Sequence, residues 1–122
     1  MDWAVSEQGP KPDVVVLARW DQLADGDSRG FSIAREGEGL EGFLVRRGDE
    51  VYAYVNSCPH TGAPLDWMPD QFLDRDGAFI QCAMHGALFE IESGLCVRGP
   101  CVSRKLKRLP VKADGEDVVL CL

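Results

Sequence analysis

The chain lacks the long apolar runs and the excess of basic residues that mark two large classes of protein. None of its apolar runs approaches the roughly 20 residues that a membrane-spanning helix needs. The 20 acidic residues outnumber the 13 basic ones, and the net charge of −7 argues against nucleic acid as a partner, because phosphate neutralisation needs a basic face. The N-terminus also lacks a charged-then-apolar secretory signal, so we expect a soluble, cytoplasmic protein that binds neither nucleic acid nor membrane.

The charge is unevenly distributed along the chain. Residues 1–50 sum to −5, residues 51–102 to −4 and residues 103–122 to +2. A basic partner surface would be attracted to the first two of these segments. The alternative is that the acidic residues serve only to keep the protein soluble.

Histidine is scarce, and cysteine occurs an odd number of times. The chain has two histidines and five cysteines. An odd number of cysteines in a reducing compartment does not favour a disulfide framework and favours metal binding or catalysis instead.

A long helical pattern is absent, whereas glycine (13 residues) and proline (7 residues) are frequent. This composition predicts one all-β domain with many turns. Short runs rich in β-branched and aromatic residues predict the strands, with hairpins over 42–55 and 108–121. The two ends, residues 13–55 and 103–122, are expected to form a base. The middle, residues 56–102, is expected to protrude as a subdomain.

Both histidines lie in short boxes that also hold a cysteine. The first box reads CPHTGAPL from Cys58, with His60 as its histidine, and the second reads CAMHGALF from Cys82, with His85. Gly62 and Pro64 in the first box and Gly86 in the second allow tight loops that bring thiolate and imidazole together. Two sites fit this spacing: a tetrahedral zinc site, or a two-iron, two-sulfide cluster with both cysteines on one iron and both histidines on the other.

The boxes, together with Gly99-Pro100, resemble the cluster-binding loops of Rieske proteins. The resemblance is strong over residues 51–102 and weaker in the flanking strands. It implies a Rieske (ISP-like) fold of antiparallel sheets with a protruding cluster-binding subdomain, and one [2Fe–2S] cluster per chain. By the resemblance, Cys58 and Cys82 bind the inner iron, His60 and His85 bind the outer iron, and the loop at Gly99-Pro100 covers the cluster.

Three positions depart from the respiratory members of that family. Ala63 and Met84 stand where those proteins have two cysteines joined in a disulfide, and Ala87 stands where they have a serine that donates to a sulfide. Fewer donors stabilise the reduced centre less. A reduction potential near the low end of the Rieske range, about −150 mV, is therefore expected.

Two further features leave alternatives open. The 21 residues between His60 and Cys82 include an apolar group, Trp67, Met68 and Phe72, which forms either a satellite core or an exposed docking patch. The cysteines outside the boxes are expected to be small buried thiols, with a bridge between Cys96 and Cys101 as the alternative. These cysteines are Cys96, Cys101 and Cys121.

The resemblance implies a single-domain Rieske-type ferredoxin, a one-electron carrier with no catalytic residues of its own. It would receive an electron from a flavoprotein reductase and pass it to an oxygenase or another acceptor, because no nucleotide-binding glycine-rich loop is present. One alternative is the small subunit of a larger oxidoreductase, such as a nitrite-reductase-like complex. A remote alternative is a zinc-stabilised interaction module.

Overall fold

The computed structural model describes residues 14–35, 38–59, 62–66, 68–83 and 86–121. The predicted ligands His60 and His85 lie outside the described residues, as do Trp67 and Met84. Within the described ranges no helix is long and apolar enough to span a membrane.

The described chain is built from short antiparallel strands and one 3-10 turn at Trp20–Gln22, without an α-helix. The strands are β1 (Val14–Arg19), β2 (Ser28–Arg35), β3 (Glu38–Arg47), β4 (Glu50–Val55), β5 (Phe79–Gln81), β6 (Leu88–Glu90), β7 (Cys96–Arg98), β8 (Arg108–Leu109), β9 (Val111–Asp114) and β10 (Asp117–Cys121). The prediction of an all-β antiparallel fold is confirmed.

The strands form three sheets, with orders β1-β10-β9, β2-β3-β4-β8 and β5-β6-β7. The first and last strands pair directly, with Val15 opposite Leu120. The two ends of the described chain therefore meet in one sheet. The third sheet lies entirely within the middle segment, 56–102, and the division into base and subdomain stays a prediction.

The second predicted hairpin differs from the structure at Pro110. Its first arm was expected to run through residues 108–112, but proline has no N–H to donate and interrupts the strand. Leu109, just before it, pairs with Ala53 in the second sheet, whereas Val111, just after it, pairs with Leu120 in the first. The chain thus crosses from one sheet to another at Pro110, and only β9 and β10 form the hairpin.

The second sheet lies between two buried clusters because successive side chains of a strand point to opposite faces. On β3, Leu44 belongs to the cluster shared with β1 and β10, whereas Phe43 belongs to the cluster on the other face. On β4, Ala53 and Tyr54 divide in the same way. The cluster on the face with Phe43 and Tyr54 is the one that also contains Cys58 and Cys82.

The loop between the boxes contributes to this second cluster through Phe72. Its ring stacks on Phe43 with centroids 4.3 Å apart and is almost fully buried. Met68, in contrast, is 54% exposed. Phe72 is therefore buried, but in the main cluster with Phe43 rather than in a separate satellite core, and the satellite-core interpretation is wrong for Met68, which is open to solvent.

Candidate functional site

The two boxes fold into loops with the same backbone hydrogen bonds. In the first loop, the Cys58 N–H donates to Ala63 O (2.8 Å) and the Gly62 N–H donates to Cys58 O (2.7 Å). In the second, the Cys82 N–H donates to Ala87 O (2.9 Å) and the Gly86 N–H donates to Cys82 O (2.9 Å). The loops therefore have equal length, although the cysteine and histidine are spaced differently within them.

Glycine is required in both loops by conformation, not by lack of space. Gly62 has φ +80° and Gly86 has φ +66°, which is the left-handed region that other residues adopt at a cost. A Cβ built on Gly62 would meet nothing within 4 Å. The glycine after each histidine thus closes the loop back onto its cysteine.

The two loop cysteines are buried in one apolar cluster. Cys58 is 2% exposed and Cys82 is fully buried, and both belong to the cluster that contains Phe43 and Tyr54. The loops are also joined directly, since the Ala83 N–H donates to Leu65 O (2.9 Å). The structure therefore places the two predicted sulfur ligands in the same buried cluster, on loops that are hydrogen-bonded to each other.

This donor set fits the expected iron–sulfur group. Thiolate is the soft ligand that iron–sulfur clusters use, and a metal stabilises the charge of a buried thiolate. Cys58 and Cys82 supply two such thiols at the ends of equivalent loops.

Polar side chains hold the first loop in place. Asn56 accepts from the Leu65 N–H at Oδ1 (2.7 Å) and donates from Nδ2 to Asp66 (3.1 Å), so it fixes the chain on both sides of the loop. Arg104 donates from Nη1 to Pro59 O (3.0 Å) inside the box. Neither residue was singled out from the sequence. Asn56 is only two residues before Cys58, which is the one local signal that could have found it.

The second loop closes a hairpin between β5 and β6, where Gln81 pairs with Leu88. The third loop, around Gly99-Pro100, packs directly on the second loop. By the resemblance, this third loop covers the cluster. A Cβ on Gly99 would lie 2.9 Å from Ala87 Cα, and Gly99 has φ +107°. Glycine at this position is therefore needed for both space and conformation.

Cys96 and Cys101 lie at the two ends of the third loop as free thiols. The Cys101 thiol donates to Cys96 Sγ at 3.2 Å, and the Cys96 thiol donates to Arg98 O at 3.3 Å. Burial raises the pKa of Cys101, and hydrogen bonding with Cys96 adds to this. The prediction of buried thiols is confirmed for this pair, whereas Cys121 is only half-buried.

The family model for the Rieske [2Fe-2S] domain matches residues 13–120 of this chain. No curated protein matches the sequence.

Several solved structures are similar to this one. The ferredoxin of carbazole 1,9a-dioxygenase from Nocardioides aromaticivorans IC177 is 30% identical, with a TM-score of 0.68, over 88% of this chain and 96% of that one. The Sphingomonas yanoikuyae B1 ferredoxin is 24% identical, with a TM-score of 0.66, over 88% and 97%. A chain from a complex of reduced oxygenase and oxidized ferredoxin in carbazole 1,9a-dioxygenase is 23% identical, with a TM-score of 0.70, over 91% and 94%.

Proposed function

Because the chain belongs to the family of Rieske [2Fe–2S] domains, we propose that it is a ferredoxin that takes one electron from a flavoprotein reductase and delivers it to an oxygenase. The cluster, when bound, takes up and releases one electron. The observation that carries the proposal is the pair of equivalent loops that bury Cys58 and Cys82 in one cluster of side chains.

The proposed ligand set is Cys58 and Cys82 on one iron and His60 and His85 on the other. The described residues support the cysteine half, since both thiols are buried on closed loops. The histidine half rests on the position of each histidine inside its loop, between the cysteine and the glycine that closes it.

The oxygenase as acceptor is proposed from the similar structures. The 30% identical ferredoxin belongs to a carbazole dioxygenase, and another similar chain comes from a complex of an oxygenase with a ferredoxin. The reductase as donor is proposed because the sequence offers no nucleotide-binding loop. A cytoplasmic location belongs to the same proposal, and the odd number of cysteines is compatible with a reducing compartment.

The division into a base, 13–55 and 103–122, and a cluster-binding subdomain, 56–102, belongs to the same proposal. It is supported by the third sheet, whose three strands all lie within the middle segment.

The test is the redox chemistry of the purified protein. We expect two irons and two acid-labile sulfides per chain, and a midpoint potential near the low end of the Rieske range, about −150 mV. NADH should bleach the visible bands only when a purified flavoprotein reductase is added. One zinc per chain without visible absorption would contradict the cofactor, and a midpoint above about +100 mV would contradict a ferredoxin of this class.

A further inference from the structure

The third loop begins and ends with a cysteine that the proposed function does not use. Cys96 is the first residue of β7, and Cys101 follows it after four intervening residues. Neither lies in a ligand box. They also lie apart from Ala63 and Met84, the positions where the respiratory members of the family carry their disulfide.

The two side chains are in direct contact as thiols. The Cys101 thiol donates to Cys96 Sγ at 3.2 Å, and the Cys96 thiol donates to Arg98 O at 3.3 Å. The sulfur atoms of a disulfide are about 2.05 Å apart, so bond formation requires these two to approach by roughly 1 Å. Each thiol therefore has the other as an immediate reaction partner.

Backbone hydrogen bonds hold the two ends of the loop beside each other before any covalent bond forms. The Cys96 N–H donates to Arg104 O (2.8 Å), and the Ser103 N–H donates to Cys96 O (3.3 Å). The Arg104 N–H in turn donates to Cys101 O (2.9 Å). Little further ordering of the chain is needed to join the sulfurs.

Burial restricts which oxidants reach the pair. Cys96 is 2% exposed and Cys101 is 1% exposed, whereas every residue of the loop between them, 97–100, is exposed. Thiol–disulfide exchange requires access to the attacking sulfur, which disfavours a bulky oxidant such as glutathione disulfide. A small, uncharged oxidant needs only a local opening of the loop.

Cys101 has a second sulfur neighbour, which matters for specificity. Its side chain also hydrogen-bonds with that of Cys58, one of the proposed ligands. When Cys58 binds iron, its sulfur is occupied, and Cys96 is the partner that remains for Cys101. The reaction is therefore expected to be specific in the protein that carries its cluster.

We propose that Cys96 and Cys101 are an oxidation site that hydrogen peroxide converts from two thiols into a disulfide, which closes the third loop where it packs on the second ligand loop. In the first step one thiol takes an oxygen atom from the peroxide and becomes a sulfenic acid, and water leaves. In the second step the other thiol displaces that oxygen as a second water, and the S–S bond forms. Both S–H bonds and the O–O bond are broken, and the peroxide takes up the two electrons that the sulfurs give.

The bond would restrain a contact that bears on the ligands. Gly99 lies between the two cysteines, and its backbone packs against Ala87 of the second ligand loop. A disulfide across the third loop limits how far Gly99 can move away, so the oxidised protein should retain iron longer. Intracellular disulfides are commonly transient and redox-sensing, which suits a bond of this kind. The oxidation is independent of the proposed function, whereas its effect on iron retention rests on it.

The first test is a thiol count on the holoprotein. The protein is treated anaerobically with hydrogen peroxide or with glutathione disulfide, and then denatured in excess N-ethylmaleimide. Peroxide should leave three of the five cysteines to be modified and give one linked peptide pair, Cys96 with Cys101, while the visible absorption of the cluster persists. Glutathione disulfide should leave all five. Bleaching of the cluster with all five thiols still present, a bridge that includes Cys58, or equal oxidation by glutathione disulfide would overturn the proposal.

The second test measures iron release to a chelator before and after peroxide. Wild type should release iron severalfold more slowly after oxidation and return to its first rate after dithiothreitol. Cys121→Ser, which removes a half-buried thiol outside the loop, should behave as wild type does, whereas Cys96→Ser should show no change on oxidation. The comparison within wild type does not depend on the folding of either variant, and equal rates there would refute the closure of the loop. A protein purified without iron would instead contradict the proposed function, and its peptide map would still test the pair.

Discussion

The two ligand loops have the same pattern of internal backbone hydrogen bonds, but different contacts hold each loop in place. The first loop depends on side chains: Asn56 bridges its two flanks, and Arg104 reaches its Pro59 carbonyl. The second loop is the closed end of the β5-β6 hairpin, and the backbone of Gly99 presses on its Ala87. One loop is thus fixed by polar contacts and the other by strand pairing and close packing.

Because of this difference, the two loops should tolerate different kinds of amino-acid substitution. A hydrogen bond from a half-buried side chain contributes about 1 kcal/mol net and can be removed one bond at a time. A close backbone approach tolerates no added atom, since the neighbouring backbone must move to accept it. We therefore expect side-chain substitutions to destabilise the first loop by small steps. We expect a side chain added at Gly99 to disrupt the second loop in one step.

The largest effect should be the same for both loops. Cys58→Ala and Cys82→Ala should each abolish cluster assembly and destabilise the surrounding core, because metal binding is coupled to folding. Iron and sulfide content and the visible spectrum measure the loss. Cys121→Ala is the control, since Cys121 is a half-buried cysteine on β10, outside the boxes, and this variant should keep its cluster. Full iron content in either ligand variant would refute the assignment.

The next largest effect should appear where Gly99 of the third loop packs on the second loop. Gly99→Ala should lower the free energy of unfolding by about 3 kcal/mol, because it adds a clash with Ala87 Cα to a left-handed backbone with φ +107°. Gly115→Ala is the matched control: Gly115 has φ +63° with nothing within 4 Å of a Cβ, so only the strain of about 1 kcal/mol remains. Thermal unfolding of the two holoproteins compares them. Equal losses would show that the packing of the third loop on the second contributes little.

A smaller effect is expected at the first loop. Asn56→Ala removes the acceptor of the Leu65 N–H and should cost about 2 kcal/mol, with faster loss of iron to a chelator. Ser57→Ala serves as the control, because its hydroxyl makes one longer, exposed bond of 3.3 Å to Gly62 O and should cost less than about 1 kcal/mol. Iron release at the wild-type rate from Asn56→Ala would show that the loop does not need its polar support.

Local pattern predicted the strands and the sulfur ligands but not these supports. Runs of β-branched and aromatic residues placed β5 at Phe79–Gln81, as observed, and the boxes identified Cys58 and Cys82. The bond from Arg104 to Pro59 joins residues 45 positions apart, and no local pattern encodes it. The change of sheet at Pro110 is not encoded locally either, because it depends on Leu109 pairing with β4 and Val111 pairing with β10. Burial in one cluster supports the two cysteines, and the ligand set as a whole stays a prediction.

Tyr54 belongs to the cluster that buries both loop cysteines, and the loss of its hydroxyl should have the smallest effect. Its hydroxyl donates to Ile91 O at 2.6 Å, and its ring lies so close to Gly94 that a Cβ there would be 2.7 Å from it. It therefore ties β4 to the turn after β6, beneath the third sheet. Tyr54→Phe keeps the ring and removes one buried hydrogen bond, which should cost about 1 kcal/mol at neutral pH.

The same substitution should change how stability depends on alkaline pH. Burial raises the pKa of Tyr54 from 10.0 to about 12, so the folded protein keeps this proton at pH values where the unfolded chain has lost it. Stability from this group is therefore complete below pH 10 and is lost progressively between pH 10 and about 12. The difference in unfolding free energy between wild type and Tyr54→Phe should shrink and then change sign across this window. A constant difference between wild type and Tyr54→Phe at every pH would show that the Tyr54 hydroxyl ionises as readily in the folded protein as in the unfolded chain.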